Sequence, residues 1–100
     1  MSLMTTMIRS EQDYYDLIEA PGSHVLVFGE AGEMWTEEVL KLLGEEVKEL
    51  DFFPWQEAIE LRLQLELVHY PVLQIWHSGS LQHEIVGYHC ESIKTVLEQI

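Results

Sequence analysis

The sequence predicts a mixed α/β domain with a central sheet of about five strands, and three features lead there. Apolar runs of strand length alternate with stretches whose apolar residues recur every three or four positions, the pattern of strands separated by helices. The last two apolar runs are divided by His77-Ser78-Gly79-Ser80, a glycine-bearing turn that reads as a β-hairpin. The length of 100 residues suits one hydrophobic core rather than two.

Taken in order, Thr6 to Arg9 is a short candidate strand. Ser10, followed by Glu11, Gln12 and Asp13, reads as an N-cap with acids in the first turn, where the helix dipole favours them. That helix runs to about Glu19, buries Tyr14, Leu17 and Ile18, and is stopped by Pro21-Gly22. His24 to Phe28 is a nearly continuous apolar run bounded by turn signals, which suits a central strand covered on both faces. Gly29 to Glu33 is a loop, and Thr36-Glu37-Glu38 opens a second helix with Val39, Leu42, Leu43, Val47 and Leu50 at helical spacing. Gly44 inside it costs ~1 kcal/mol relative to alanine and is a candidate kink.

Lys48 to Phe53 is a further strand, ended by Pro54. Ile59 to Leu67 alternates strictly, as a strand does, yet consists of helix formers, so pattern alone leaves it open. Val72 to Trp76 and Leu81 to Val86 are the hairpin strands, and Gly87 ends the second. Ile93, Val96, Leu97 and Ile100 are one face of a closing helix. Strands joined through helices pair parallel, and the hairpin adds antiparallel ones. Residues 1–100 read as a single domain, with residues 1–5 expected to be disordered or appended.

Eighteen Asp and Glu against five Lys and Arg give a formal charge of −13. A field of that sign repels phosphate, which excludes nucleic acid and anionic membrane as partners and favours a basic protein, or simply keeps the domain soluble. No apolar run reaches the ~20 residues that cross a bilayer. The start lacks the basic and then apolar order of a secretory signal, so the chain reads as cytoplasmic. A single cysteine, Cys90, excludes an internal disulfide, a CxxC pair and a multi-cysteine metal site.

The histidines His24, His69, His77, His83 and His89 show no HxxxH or HExxH spacing, and the hairpin frame sets His77 opposite Ser80, not His83. Gly29-Glu30-Ala31-Gly32 lacks the lysine and the glycine count of a phosphate loop. No metal and no cofactor is expected.

The last third carries a likeness as well. Tyr70-Pro71 ahead of an apolar strand, the Ser78-Gly79 hairpin turn, a strand ending Val86-Gly87 and a C-terminal amphipathic helix together resemble the second half of thioredoxin. The element order of the first half agrees from Thr6 onward. The resemblance implies a thioredoxin-like three-layer α/β/α sandwich, a helix from Gln56 to about Leu65 capped by Pro54, and a cis bond before Pro71. It implies a binding groove floored by Tyr70 and Pro71, walled by Ala31 to Trp35 with Glu33 and Met34 among them, and closed by Val86, Gly87 and Tyr88.

That family's exchange chemistry needs two thiols two residues apart at the start of the second helix. The matching window, Glu30 to Thr36, holds no cysteine, so dithiol exchange within the chain is chemically unavailable.

The first function to expect is a redox-inactive module that binds a protein or extended peptide, basic in charge, in an assembly, chaperone-like or regulatory role, as a monomer or homodimer. Backbone beside Pro71 would pair with an extended peptide, and Trp35, Tyr70 and Tyr88 would offer aromatic contact surface. For Trp35 and Tyr88, core filling stays open beside recognition. Tyr70 and Trp76 read as packing, and Trp55 carries no functional argument. A second function is thiol-dependent, monothiol or glutathione-linked, through Cys90, which stands beside His89 near a helix start. Against it, Glu91 and the negative chain disfavour a thiolate. A third is an acidic nucleic-acid mimic, which needs carboxylates arrayed along one face at phosphate-like spacing.

Overall fold

A computed structural model describes residues 4–8 and 10–99. The order is β1 (Met4–Met7), α1 (Glu11–Glu19), β2 (Ser23–Gly29), α2 (Met34–Glu46), β3 (Glu49–Pro54), α3 (Ile59–Gln64), β4 (Val72–His77), β5 (Ser80–Val86) and α4 (Cys90–Leu97). The strands form one sheet in the order β1-β3-β2-β4-β5. β3 pairs parallel with β1 and β2, while β4 pairs antiparallel with β2 and β5.

The unbroken apolar runs exist because both sheet faces are covered. Val25, Val27, Phe52, Leu73 and Ile75 pack against Val39 and Leu43 of α2 and Ile93 of α4. Leu26, Phe28, Phe53 and Val72 pack against Tyr14 and Ile18 of α1 and Leu61 of α3. The result is the expected three-layer sandwich with a mixed sheet.

Several boundaries differ from expectation. β1 starts at Met4, so Thr5 pairs with Leu50 inside the sheet instead of lying outside the domain. Arg9, assigned to that strand, lies outside the described residues, as does Ile100 of the closing face. α2 starts at Met34, ahead of Thr36, because the Glu33 side chain caps it by accepting from the Trp35 and Thr36 N–H groups. It continues through Gly44 to Glu46, and Leu50 belongs to β3.

α3 is one short helix, Ile59–Gln64, rather than Gln56 to Leu65. The Pro54 carbonyl accepts from both Glu57 and Ala58, so the chain first makes a turn there and only then coils. Of the ambiguous alternation, Ile59–Gln64 is helix and Leu65 and Glu66 are turn, and it marks no buried stripe: Leu61 is buried while Ile59 and Leu63 are exposed. The hairpin turn places Ser78 and Gly79 at φ 45° and 88°, the left-handed pair that matches strand twist. A bulge at Ile75/Trp76 sets His83 opposite Ile75 and Leu81 opposite Trp76, with His77 facing Ser80.

Gln74 on β4 is a polar residue buried inside the core. Its Oε1 accepts from the Tyr14 hydroxyl at 3.0 Å and from Trp76 Nε1 at 2.9 Å, and its Nε2 donates to Glu84 at 2.7 Å. Burial pushes the Tyr14 hydroxyl up to about 12, although the Gln74 hydrogen bond works the other way.

Asp51 lies in the middle of β3 with Thr6 and Leu26 on either side. Partial burial raises its carboxyl above the ordinary range, with His24 opposing and Glu49 adding. A carboxyl with a higher pKa folded than unfolded costs stability once ionised. That cost is absent below the unfolded value of ~3.9, sets in as pH rises, and is complete above the folded value. Asp51→Asn is therefore expected to raise the Tm by about 1–3 °C at neutral pH, a half-exposed group being well screened. The gain should vanish in melts near pH ~3.5. Equal melts at neutral pH would contradict the desolvation argument.

No helix among the described residues is long and apolar enough to cross a membrane.

Candidate functional site

The start of α2, the segment before β4 and the turn between β5 and α4 meet at one pole of the sheet. Gly29 closes β2 where the first turn of α2 lies on it. A Cβ at Gly29 would stand 2.6 Å from Thr36 Cγ2, so only glycine permits this approach. Thr36 is fully buried there, and its hydroxyl accepts from the Glu30 N–H at 3.2 Å.

Glu33 turns back onto the helix, taking the Trp35 N–H at 3.0 Å and the Thr36 N–H at 2.8 Å. Desolvation works against its charge, but those N–H groups and the Thr36 hydroxyl together outweigh it and hold the carboxyl below its usual value.

Across from the helix, the Tyr70–Pro71 bond is cis, and the Pro71 carbonyl accepts from the Gly87 N–H at 2.7 Å. That bond ties the end of β5 to the start of β4, and Gly87 at φ 87° then sends the chain into α4. The backbone N–H and C=O of Tyr70 meet no backbone partner among the described residues.

Trp35, Tyr70, Pro71, Gly87, Tyr88 and His89 line the resulting groove of about 330 Å³. Trp35 is 46% exposed and stacks on Tyr88, ring centres 5.5 Å apart at 22°. Trp35 is the exposed half of the pair, whereas Tyr88 is partly buried and packs against the core on the α2–α4 side of the sheet. Tyr70 is half-buried, as packing would have it, yet its hydroxyl donates to Glu30 at 3.0 Å. Gln56 donates to the other Glu30 oxygen at 3.0 Å. Behind Tyr70, Trp55 meets its ring edge-on at 5.1 Å, and Arg62 covers Trp55 at 4.3 Å.

The hydrogen bond to Glu30 and that residue's charge raise the Tyr70 hydroxyl above the ordinary phenol range, with burial and Glu33 adding. Tyr88 is raised as well, first by its hydrogen bond with Cys90, then by desolvation and the charges of Cys90 and Glu38.

Of the residues singled out by sequence, Trp35, Tyr70, Pro71, Gly87 and Tyr88 come together in this groove, whereas Glu33 is folded onto its helix and Met34 is an exposed rim residue outside the lining. His89, Glu30, Gln56 and Trp55 join the site without having been foreseen. Only His89, next to Tyr88, carried any sequence signal. Cys90 is the first residue of α4, partly buried, beside the groove rather than in its lining. Among the described residues no three of His, Cys, Asp and Glu are grouped to hold a metal ion. A larger hollow of about 550 Å³ lies between the start of α1 and α3, floored by Phe53 and edged by Ser10, Glu11 and Ile59. Its lining holds a single aromatic side chain, the buried Phe53.

No family model and no curated protein matches the sequence. Solved structures do match in shape. Mitochondrial thioredoxin 3 from Saccharomyces cerevisiae is 14% identical, with 96% of this chain and 95% of that one covered at a TM-score of 0.78. A thioredoxin from Malassezia sympodialis is 10% identical, covering 99% and 91% at 0.79.

The chain has the thioredoxin fold.

Thioredoxin from Plasmodium falciparum agrees, at 12% identity, 94% and 97% coverage and a TM-score of 0.74. On this thioredoxin fold, Glu33 and Thr36 stand at the start of α2 with the spacing a CxxC pair would need. They supply a carboxylate and a buried hydroxyl, and the chain's one thiol is Cys90.

Proposed function

We propose that the chain is a binding module that holds an extended protein segment in the Trp35–Pro71–Tyr88 groove and performs no dithiol exchange of its own. The observation that carries this reading is the open Trp35–Tyr88 stack beside the unpaired backbone of Tyr70. An extended segment adds to such backbone as a strand adds to a sheet edge, with alternate side chains directed at the groove. Stacked aromatics offer a large, rigid contact area that loses little entropy on binding. With one cysteine in 100 residues no internal disulfide can form, so the module binds and releases without an internal thiol cycle.

The test is capture of a partner from native extract, followed by titration with variants. Trp35→Ala and Tyr88→Ala are each expected to weaken binding by about tenfold or more, as truncated interface anchors do. Because Trp35 is well exposed, its variant should melt within about 2 °C of the parent. A partner held with unchanged affinity by both variants would remove the groove from the interface.

A further inference from the structure

We propose that the segment taken by this groove is basic, with an Arg or Lys side chain lying on the exposed Trp35–Tyr88 face and countered by the carboxylates of Glu30, Glu33 and Glu38. This rests on the groove being a binding site and adds the chemistry of its occupant.

A helix start ordinarily presents about half a positive charge and invites an anion. Here the tether is already in place: Glu33 takes two of the N–H groups of the first turn of α2. A full negative charge set on about half a positive one leaves that end net negative. Glu30 reaches the groove through the Tyr70 hydroxyl, and its other oxygen meets the Gln56 amide. These donors are neutral, so they orient the carboxylate without cancelling its charge. Glu38 adds its field at Tyr88. Arg62 does not serve the groove face, because its guanidinium covers Trp55 behind Tyr70.

The three classes of occupant then separate. An acidic segment is repelled. A neutral one covers ionised carboxylates without pairing them, which carries a desolvation cost. A cation gains from both features, since the face of an indole or phenol ring carries negative quadrupole density. Arginine suits the site better than lysine, because its planar group stacks on a ring while its edge forks to a carboxylate. The chain's −13 charge steers the same class of partner from a distance.

The experiment is a titration with blocked extended peptides whose central residue is fixed as arginine, citrulline or glutamate, the flanks being randomised among uncharged residues. Binding is read by the change in tryptophan fluorescence that Trp35→Phe removes. The arginine set is expected to bind about 5- to 30-fold more tightly than the citrulline set, and the glutamate set not at all. In a Glu30→Gln, Glu33→Gln, Glu38→Gln protein, which keeps side-chain shape and an acceptor oxygen at each position, that ratio should fall toward one. Equal binding of arginine and citrulline sets would overturn the inference and leave the groove reading standing. An arginine preference that persists in the glutamine variants would also overturn it, by locating the charge recognition elsewhere. Absence of binding by every set would overturn both.

Discussion

Replacing Gln74 with leucine should lower the Tm by about 10–25 °C, a larger effect than any other exchange proposed for this domain. Gln74 is 2% exposed, and one oxygen of its amide is the acceptor for both the Tyr14 hydroxyl and the Trp76 indole N–H. Leucine fills nearly the same volume, so little of the loss comes from a cavity. It comes from two donors left without an acceptor in surroundings that exclude water, for about 2–4 kcal/mol together. A thermodynamic cycle separates this from simple misfit. Tyr14→Phe alone should cost ~1 kcal/mol, but added to Gln74→Leu it should cost nothing or stabilise, because phenylalanine has no hydroxyl to orphan. Additive melts would show that the stranded hydroxyl finds another partner.

Gly29→Ala is the second large effect, expected at about 1–3 kcal/mol or a Tm drop of about 5–20 °C. Its backbone is not in the left-handed region; the penalty is steric. The added methyl would meet Thr36 Cγ2 at 2.6 Å and Oγ1 at 2.7 Å, and Thr36 is locked in the first turn of α2. The helix must lift from β2, carrying Trp35 away from Tyr88, so the weakened stability should come with weakened peptide binding. Thr36→Ala added to Gly29→Ala removes the two closest atoms and leaves only Cβ, at 3.2 Å. It should recover roughly half the loss, since the hydrogen bond from Glu30 N–H to the Thr36 hydroxyl is given up in exchange. A Gly29→Ala protein with parental melting and binding would show that α2 moves away from the sheet freely.

These two residues show where sequence reading reaches and where it stops. β2, the hairpin and α4 were legible because coverage of both sheet faces writes unbroken apolar runs, and because a turn with two positive φ angles wants a residue such as Gly79. The start of α2 was not, since glutamate is outside the favoured N-cap set even though Glu33 performs the capping bond. Nor was α3, whose six residues and single buried side chain are too few for a period to emerge.

The groove residues Trp35, Pro71, Gly87 and Tyr88 were reachable only through the resemblance, as nothing in their spacing joins them. Glu30, Gln56 and Trp55 gave no sign at all. Their proximity depends on the loop after β3 folding back on β2, fixed by the Trp55 N–H donating to the Gly29 carbonyl at 2.8 Å. Gly29 and Gln74 likewise owe their importance to neighbours far along the chain.

The sheet order has a bearing on how the chain reaches this state during synthesis. Its central strand, β2, meets β4 in a register that sets Ser23 against His77, and β1 meets β3 at Met4 and Glu49. Closing those pairs requires large loops, which are entropically slow to form. Only the β4–β5 hairpin is local. On a ribosome, β2 would therefore emerge with α1 and α2 at hand to cover its faces but without its antiparallel neighbour, and β4 and β5 would complete the sheet later.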